Sequence, residues 1–557
     1  MEHRRRLSGF GVALALVAGL TAGCASPQPA AAPAPAAGGP SGQAQAQPKV
    51  NRVVVALKVP PNEASNPRLI SGFDPFQLRP SFESLLDLDV TTGKFIPDLA
   101  TEWKVEENST AIRLTLRKGV PFHFNYGEVT AKDVQYTFDS LVSKDDSHRQ
   151  VGTWRAIVKQ LEVVNDYEVV FRINPNINFM RMLSNGQAEL AIRSKAAADK
   201  EGDPVDLRKG LPGTGPYQFK ERVQSAYFRM DRAPYQHWRN QPDFPEFEFR
   251  WINEPSTRLA ALLANEVHIT DIPQELQPSA EKAGMKVIAG RVKGPRVVGQ
   301  FYCCWLDPVT GKLPMYPESP LANVKVRQAL NKAIDRGELA KAFVPKSQPL
   351  YIDHFDASWL GWTESWKTRF NDMYGFDLNK AKALLAEAGY TAGNPMKLNV
   401  LAQRLTYIPN GPDVAEGMAT QWRKAGIDVT LLSLDDAQEA QLSRAYKFDN
   451  HIRLQSYSFD SGRAIQVFNT PTTPPGGGYF DQEILAAWKK LSVELAPEKQ
   501  EPLLKEIGER GFTQFWDIPL FWVPLELTVN PTVIAEFPFP GVLNGGWSHF
   551  ENIKAVR

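Results

Sequence analysis

Between Asp413 and Leu431 the chain changes its repeat across a single glycine, and that change restricts the folds open to it. Asp413 with Glu416 opens a helical pattern that reaches Trp422 and stops at Gly426. The following residues, Ile427-Asp428-Val429-Thr430-Leu431, alternate apolar and polar as a strand does. A helix that feeds straight into a strand is the building unit of α/β architecture, because parallel strands need a long crossover. Other segments agree. Val53-Val54-Val55-Ala56-Leu57 is a continuous apolar run, expected of a strand buried on both faces. Ala111 to Arg117 alternates and predicts a half-buried strand. Thr130 with Asp133 forms a capping pattern before a helix carrying Val134, Phe138 and Leu141. Asn323 opens a helix with Val326, Leu330, Ala333 and Ile334 on one stripe, and Asp377 to Ala388 is another, stopped by Gly389. No repeat of fixed period runs through the chain, which argues against a solenoid or propeller.

The first residues read as an address. Arg4-Arg5-Arg6 is followed by an apolar run from Leu7 to Gly23, too short and too rich in small residues for a membrane span. Residues 1–23 are therefore expected to be a signal peptide. Leu20-Thr21-Ala22-Gly23-Cys24 resembles the bacterial lipobox, in which the cysteine thiol is lipidated. Thr21 departs from the leucine preferred there, and Leu20 stands one place away. The alternative is an ordinary secretory signal with an incidental Cys24. Residues 24–50 are expected to be a lipid-anchored disordered tether: Ala25 to Pro48 is Ala, Pro, Gly, Gln and Ser without a charge, and such a segment cannot bury a core. An exported body is implied, in the periplasm or on the outer face of the cell membrane.

Charge and composition exclude several classes. The chain has 63 basic and 62 acidic residues, and removing the leader takes away three arginines and one glutamate. No nucleic-acid or polybasic membrane surface is expected from that balance. Three cysteines rule out a disulfide scaffold, and the eight histidines are scattered without ligand spacing, so no metal site and no cofactor is expected. There is no G-x-S-x-G, no H-E-x-x-H and no P-loop, and no catalytic residues are assigned. Gly213-Thr214-Gly215-Pro216 begins like a dinucleotide loop but lacks the third glycine, and its proline withholds an N–H from a phosphate. Cys303-Cys304 lies in the apolar stretch from Val298 to Trp305. On a strand successive side chains point to opposite faces, so two buried free thiols are the favoured expectation. A vicinal redox pair is the other.

Five collinear segments resemble one family, the peptide/nickel class of extracytoplasmic solute-binding proteins (family 5) that serve ABC importers. Gly93 to Trp103 is similar to its G-x-x-x-P-x-L-A-x-x-W stretch. Leu116 to Val120 with Phe122-His123, then Thr130 to Val134, is similar to the next two signatures. Gly213 to Tyr217 fits G-T-G-P-Y, and Val326 to Arg336 fits V-R-x-A-L-x-x-A-I-D-R. The loop Phe124 to Glu128 is one residue longer than the family's usual D-G turn.

The resemblance implies an α/β, two-lobed periplasmic-binding-protein-like fold of class II, cluster C type, with an extra domain and three domains in all. Domain I is expected from 51–88, 208–297 and 520–557, domain II from 89–207 and domain III from 298–519. It implies a monomeric receptor, not an enzyme, that captures a peptide-like solute by hinge closure and delivers it to ABC permease subunits. Tyr457-Ser458-Phe459-Asp460 resembles the family's W-x-x-D, whose Asp takes a peptide's amino group. Gln403 to Asn410 resembles Q-R-x-Y-x-P-N, whose Arg holds a carboxylate, with one extra residue between Arg404 and Tyr407. Expected ligand residues are thus Asp460, Arg404, Tyr407, Tyr457 and Arg463, and Cys24 is the expected lipidation site. Arg463 adds a positive charge near the amine site and favours a ligand with an additional acidic group, such as an opine. Trp359, Trp362 and Trp366, with Tyr351 and Phe355, raise a second possibility, an oligosaccharide receptor, although that spacing also suits a buried helix stripe. A third is an exported sensor or assembly lipoprotein without a transport role.

Overall fold

Three sheets organise the chain in the computed structural model. It describes residues 47–60, 63, 66–67, 75–143, 151–185, 190–202, 211–307, 309–403, 405, 408, 410–435, 438–439, 441–442, 445, 447, 450–457, 481–541 and 548–557. Cys24 and the leader lie outside the described residues.

The first sheet has seven strands. Arg52–Leu57, the continuous apolar run, pairs in parallel with Glu246–Trp251 on one side and Ile269–Thr270 on the other. Both of its faces are covered, as its composition requires: Val53 and Val55 pack with Phe247, Phe249 and Leu527, and Val54 and Ala56 with Leu262 and Val267. Tyr217–Val223 and Tyr227–Arg232 extend one edge, and Glu526–Val529 and Lys286–Ala289 the other. The second sheet is antiparallel, with Ala100–Glu106, Ala111–Leu116, Glu168–Ile173 and Val158–Asn165 in that order. The helix Ala131–Leu141 lies against it. Its first turn is closed as expected: the N–H and hydroxyl of Thr130 each donate to Asp133 at 2.9 Å.

The third sheet has six strands, in the order Gln348–Pro349, Asp517–Trp522, Arg296–Tyr302, His451–Tyr457, Lys397–Leu401 and Asp428–Leu432. The last three run parallel. The expected helix precedes Asp428–Leu432 and spans Gly411–Lys424; it starts two residues before Asp413 because Pro412 fits the first turn. Trp422 is fully buried and its indole donates to the carbonyl of Leu330 at 3.0 Å. Helices Val324–Lys332 and Leu378–Glu387 form where Asn323 and Asp377 cap them, and Gly389 ends the second at φ +91°.

Two motifs prove to be architectural. In V-R-x-A-L-x-x-A-I-D-R, Arg327 donates to the carbonyls of Gln514, Leu321 and Ala322, and Arg336 to those of Pro519 and Tyr374. The two guanidiniums satisfy backbone groups that no ladder reaches. In G-T-G-P-Y, the backbones of Gly213 and Gly215 lie so close to the carbonyls of Ser81 and Pro80 that a Cβ at either would collide with them. The N–H groups of Gly213, Gly215 and Tyr217 are spent on His123, Ser81 and Pro80, not left for a phosphate.

Two expectations are corrected. Cys303 and Cys304 are joined by a disulfide instead of standing as free thiols. The strand ends at Tyr302, so the alternation that separates neighbouring side chains does not extend to these two residues. The tryptophan spacing does not make a helix stripe: the helix is Glu364–Tyr374, so only Trp366 is helical, and Trp359 and Trp362 precede its cap at Thr363.

The chain passes between the seven- and six-stranded sheets at 289–296 and again at 522–526. The two crossovers run side by side: Val523 N–H donates to Pro295 O at 2.8 Å and Gly290 N–H to Leu525 O at 2.9 Å. Gly294 packs on the Val523 carbonyl where no side chain fits. Strands Arg296–Tyr302 and Asp517–Trp522 span positions 297/298 and 519/520, and both belong wholly to the six-stranded sheet.

Candidate functional site

The two segments singled out for ligand contact follow the ends of neighbouring strands. Lys397–Leu401 leads to Arg404 and Tyr407, and His451–Tyr457 leads to Asp460 and Arg463. These strands are adjacent and parallel, with Asn399 beside His451 and Leu401 beside Arg453, so their carboxyl ends point to the same end of the sheet. In open α/β sheets the region beyond the carboxyl ends of the strands is where ligands bind. Arg404, Tyr407, Asp460 and Arg463 themselves lie outside the described residues; Tyr457 is described. Around the first segment, Leu405 and Ile408 exchange backbone bonds at 3.3 and 3.2 Å, and Asn410 donates to the carbonyl of Phe343 at 3.1 Å.

Tyr457 is 8% exposed and stands at a junction. It packs in one cluster with Val298, Leu350, Trp359 and Trp522 of the six-stranded part and with Leu88 from the hairpin Leu86–Asp89/Lys94–Pro97. Val90 and Phe95 of that hairpin border the same cluster. Successive strand residues point opposite ways, so Asp87 faces a buried ionic cluster while Leu88 joins the apolar cluster that holds Trp359 and Trp522. A second contact joins the same two parts of the molecule: Ile177 N–H donates to Ser492 O at 2.9 Å, and Leu495 enters the core of the four-stranded sheet.

Polar groups that the sequence did not advertise surround Tyr457. The guanidinium carbon of Arg296 stands 4.8 Å from its ring centre. Arg296 donates through Nε to Asp353, and its second terminal nitrogen is 3.0 Å from His354 Nδ1. Burial works to raise the Asp353 carboxyl, but the Arg296 charge overcomes this and holds it well below the usual carboxylate range. Burial, and then the Asp353 charge beside it, push the Asp517 carboxyl far above the usual carboxylate range. Burial also lowers His354. The Arg296 cation is thus paired with the Asp353 carboxylate inside the fold. Arg296 sits in an apolar strand and Asp353 in a loop some 57 positions on, so only the pairing of distant segments reveals them.

Two of the tryptophans that raised sugar binding are engaged by other aromatic rings. Trp366 is fully buried against Phe355 at 4.9 Å and donates to Glu509 at 2.9 Å, and Trp359 meets Trp522 edge-on at 6.0 Å. A cavity of about 400 Å³ lies along Arg232–Pro245 and includes none of the residues named from sequence. Among the described residues, no group of three His, Cys, Asp or Glu side chains is placed to hold a metal ion. Nor is any described helix long and apolar enough to cross a membrane.

The comparison with known families decides the matter of kinship. The profile of the bacterial extracellular solute-binding proteins, family 5 Middle, matches residues 94–479. The chain belongs to this family. It is similar to the dipeptide-binding protein of Escherichia coli (strain K12), 25% identical over 429 residues that cover 73% of this chain and 76% of that protein. Among solved structures it resembles HbpA2 from Haemophilus parasuis, with TM-score 0.73 and 22% identity over 91% of this chain and all of the other. It also resembles AgaA of A. tumefacien R10 in complex with agropinic acid, with TM-score 0.65 and 18% identity over 91% of this chain and 99% of that one. The architecture is thus the two-lobed fold of solute-binding proteins with an extra domain. This family 5 chain is a solute-binding protein.

Proposed function

We propose that the chain is the extracytoplasmic receptor of an ABC importer, capturing a peptide-like solute between its lobes and passing it to a membrane permease. The observation that supports this most is that the strands before Arg404 and Asp460, Lys397–Leu401 and His451–Tyr457, are neighbours running parallel, so that their carboxyl ends point the same way. A guanidinium and a carboxylate offered together suit the two ends of a zwitterion. The dipeptide-binding relative supports the peptide class. The lobes turn about the paired crossovers at 289–296 and 522–526, and the apolar cluster that takes in Leu88 with Trp359 and Trp522, and the bond from Ile177 to Ser492, support closure of one part on the other. On this reading the domain borders fall in the crossovers, so that Arg296–Tyr302 and Asp517–Trp522 stay within domain III. Cys24 carries the lipid anchor, and residues 24–50 hold a monomeric body away from the membrane.

A second reading, a ligand with an additional acidic group, draws support from Arg463 three residues after Asp460 and from the likeness to the agropinic acid-binding AgaA. A thermal-shift screen against dipeptides, tripeptides, acidic amino-acid conjugates and oligosaccharides tests both. A ligand present at about 100 times its dissociation constant stabilises the protein by about 2.7 kcal/mol. A shift with the peptides or the conjugates is expected; a shift with the sugars alone contradicts both readings.

A further inference from the structure

Arg296 is the first residue of the strand that leaves the first crossover, and it is fully buried. Its register partners are Tyr457 on one side and Trp522, which opens the second crossover, on the other. Arg296 thus ends the first connection between the lobes, pairs in register with Trp522 where the second begins, and holds its guanidinium over the ring of Tyr457. Its plane is fixed by Asp353 and His354, and the backbone of His354 is itself held at φ +68°, a region that favours glycine. An apolar residue would fill the same space. A guanidinium adds a directed attraction to the face of the Tyr457 ring, which selects one ring orientation. Leu88 of the opposing lobe belongs to the same apolar cluster as this ring.

We propose that Arg296 is the positioning residue of Tyr457: its guanidinium fixes the ring of this residue, one of those read as ligand contacts, from a strand that joins directly to the crossovers about which the lobes turn. The proposal rests on reading Tyr457 as a ligand residue, and its first test needs no ligand. 3-Fluorotyrosine is incorporated into the full chain and the Tyr457 line is assigned in the fluorine NMR spectrum from Tyr457→Phe. Arg296→Met is expected to displace that line, and Arg296→Lys, which keeps the cation, to hold it near its original position while the remaining tyrosine lines stay in place. A line unmoved by Arg296→Met overturns the proposal. A line displaced equally by Lys and Met overturns it too, because shape and not charge would then hold the ring.

Should Arg296→Met fail to fold, the pair Tyr457→Phe and Tyr457→Leu carries the test with Arg296 intact. Amide exchange in 452–457 is expected to be about thirtyfold faster in the leucine variant, the worth of a desolvated cation–π contact. Equal rates overturn the proposal. Titration with trialanine separates this proposal from the peptide reading. Weaker binding in Arg296→Met, restored in Arg296→Lys, supports both. An unsubstituted chain that ignores trialanine while its Tyr457 line behaves as stated supports the role of Arg296 and counts against peptides.

Discussion

His123 holds the corner formed by Gly213 and Gly215 with both ring nitrogens: Nδ1 accepts from the N–H of Gly213 at 3.2 Å and Nε2 donates to the carbonyl of Gly215 at 2.8 Å. That pattern needs the neutral imidazole with its proton on Nε2. His237 does similar work one residue away, donating from Nε2 to the carbonyl of Thr214 at 2.8 Å.

The neutral state of His123 makes stability depend on pH. Burial lowers its pKa to about 4, against 6.5 for a free histidine. Between these values the unfolded chain binds the proton that the folded chain refuses, so this contribution is full above 6.5 and is lost as pH falls toward 4. Urea unfolding of the unsubstituted chain and of His123→Gln is expected to show a stability gap that narrows by about 3 kcal/mol from neutral to acid pH. A gap constant with pH would contradict the neutral assignment.

Asp98 should behave in the opposite sense. Burial first, and then the carboxylates of Glu83 and Asp87, raise it to about 7 despite Arg79 at 3.7 Å. Asn185 donates to its Oδ2 at 2.5 Å, leaving Oδ1 for the proton. A carboxyl whose folded pKa is raised stabilises most at low pH and loses that contribution as pH rises through about 7. Asp98→Asn, which keeps the shape without the charge, is therefore expected to gain stability relative to the unsubstituted chain as pH rises from about 5 to about 8. Denaturant midpoints across that range check the sign.

Replacing Gly215 by alanine drives a Cβ into the carbonyl of Pro80, where only backbone can give way. Overpacking of this kind costs about 3 kcal/mol, and the loss should appear in the unfolding midpoint of Gly215→Ala.

The pairing of Cys303 with Cys304 predicts a mass about 2 Da below that of the dithiol, the two hydrogens lost when the bond forms. Alkylation in denaturant should reach these two residues only after reduction; labelling without reductant would restore the free-thiol expectation.

Much of the fold was legible because it is local. The caps at Thr130, Asn323 and Asp377, the glycine stop at Gly389 and the double-sided strand at Val53 to Leu57 each depend on residues within a few positions. The parallel pairing of Lys397–Leu401 with His451–Tyr457 depends instead on sheet topology, and the cluster that gathers Leu88 with Trp359 and Trp522 on how two lobes meet. The roles of Arg296 and Asp353 were invisible for the same reason, since an arginine in an apolar strand has no local sign of its partner. The free-thiol expectation for Cys303-Cys304 comes from carrying a strand two residues past its end at Tyr302.

The most direct measurement is calorimetric titration of the unsubstituted chain and of Asp460→Ala with a defined pool of dipeptides and tripeptides. The account predicts binding by the first and a loss of about thirtyfold or more in the second, since removing one partner of a desolvated charge pair costs about 2 kcal/mol or more, with unchanged unfolding midpoints. Equal affinity in the two proteins, or no binding of any peptide by either, would contradict it.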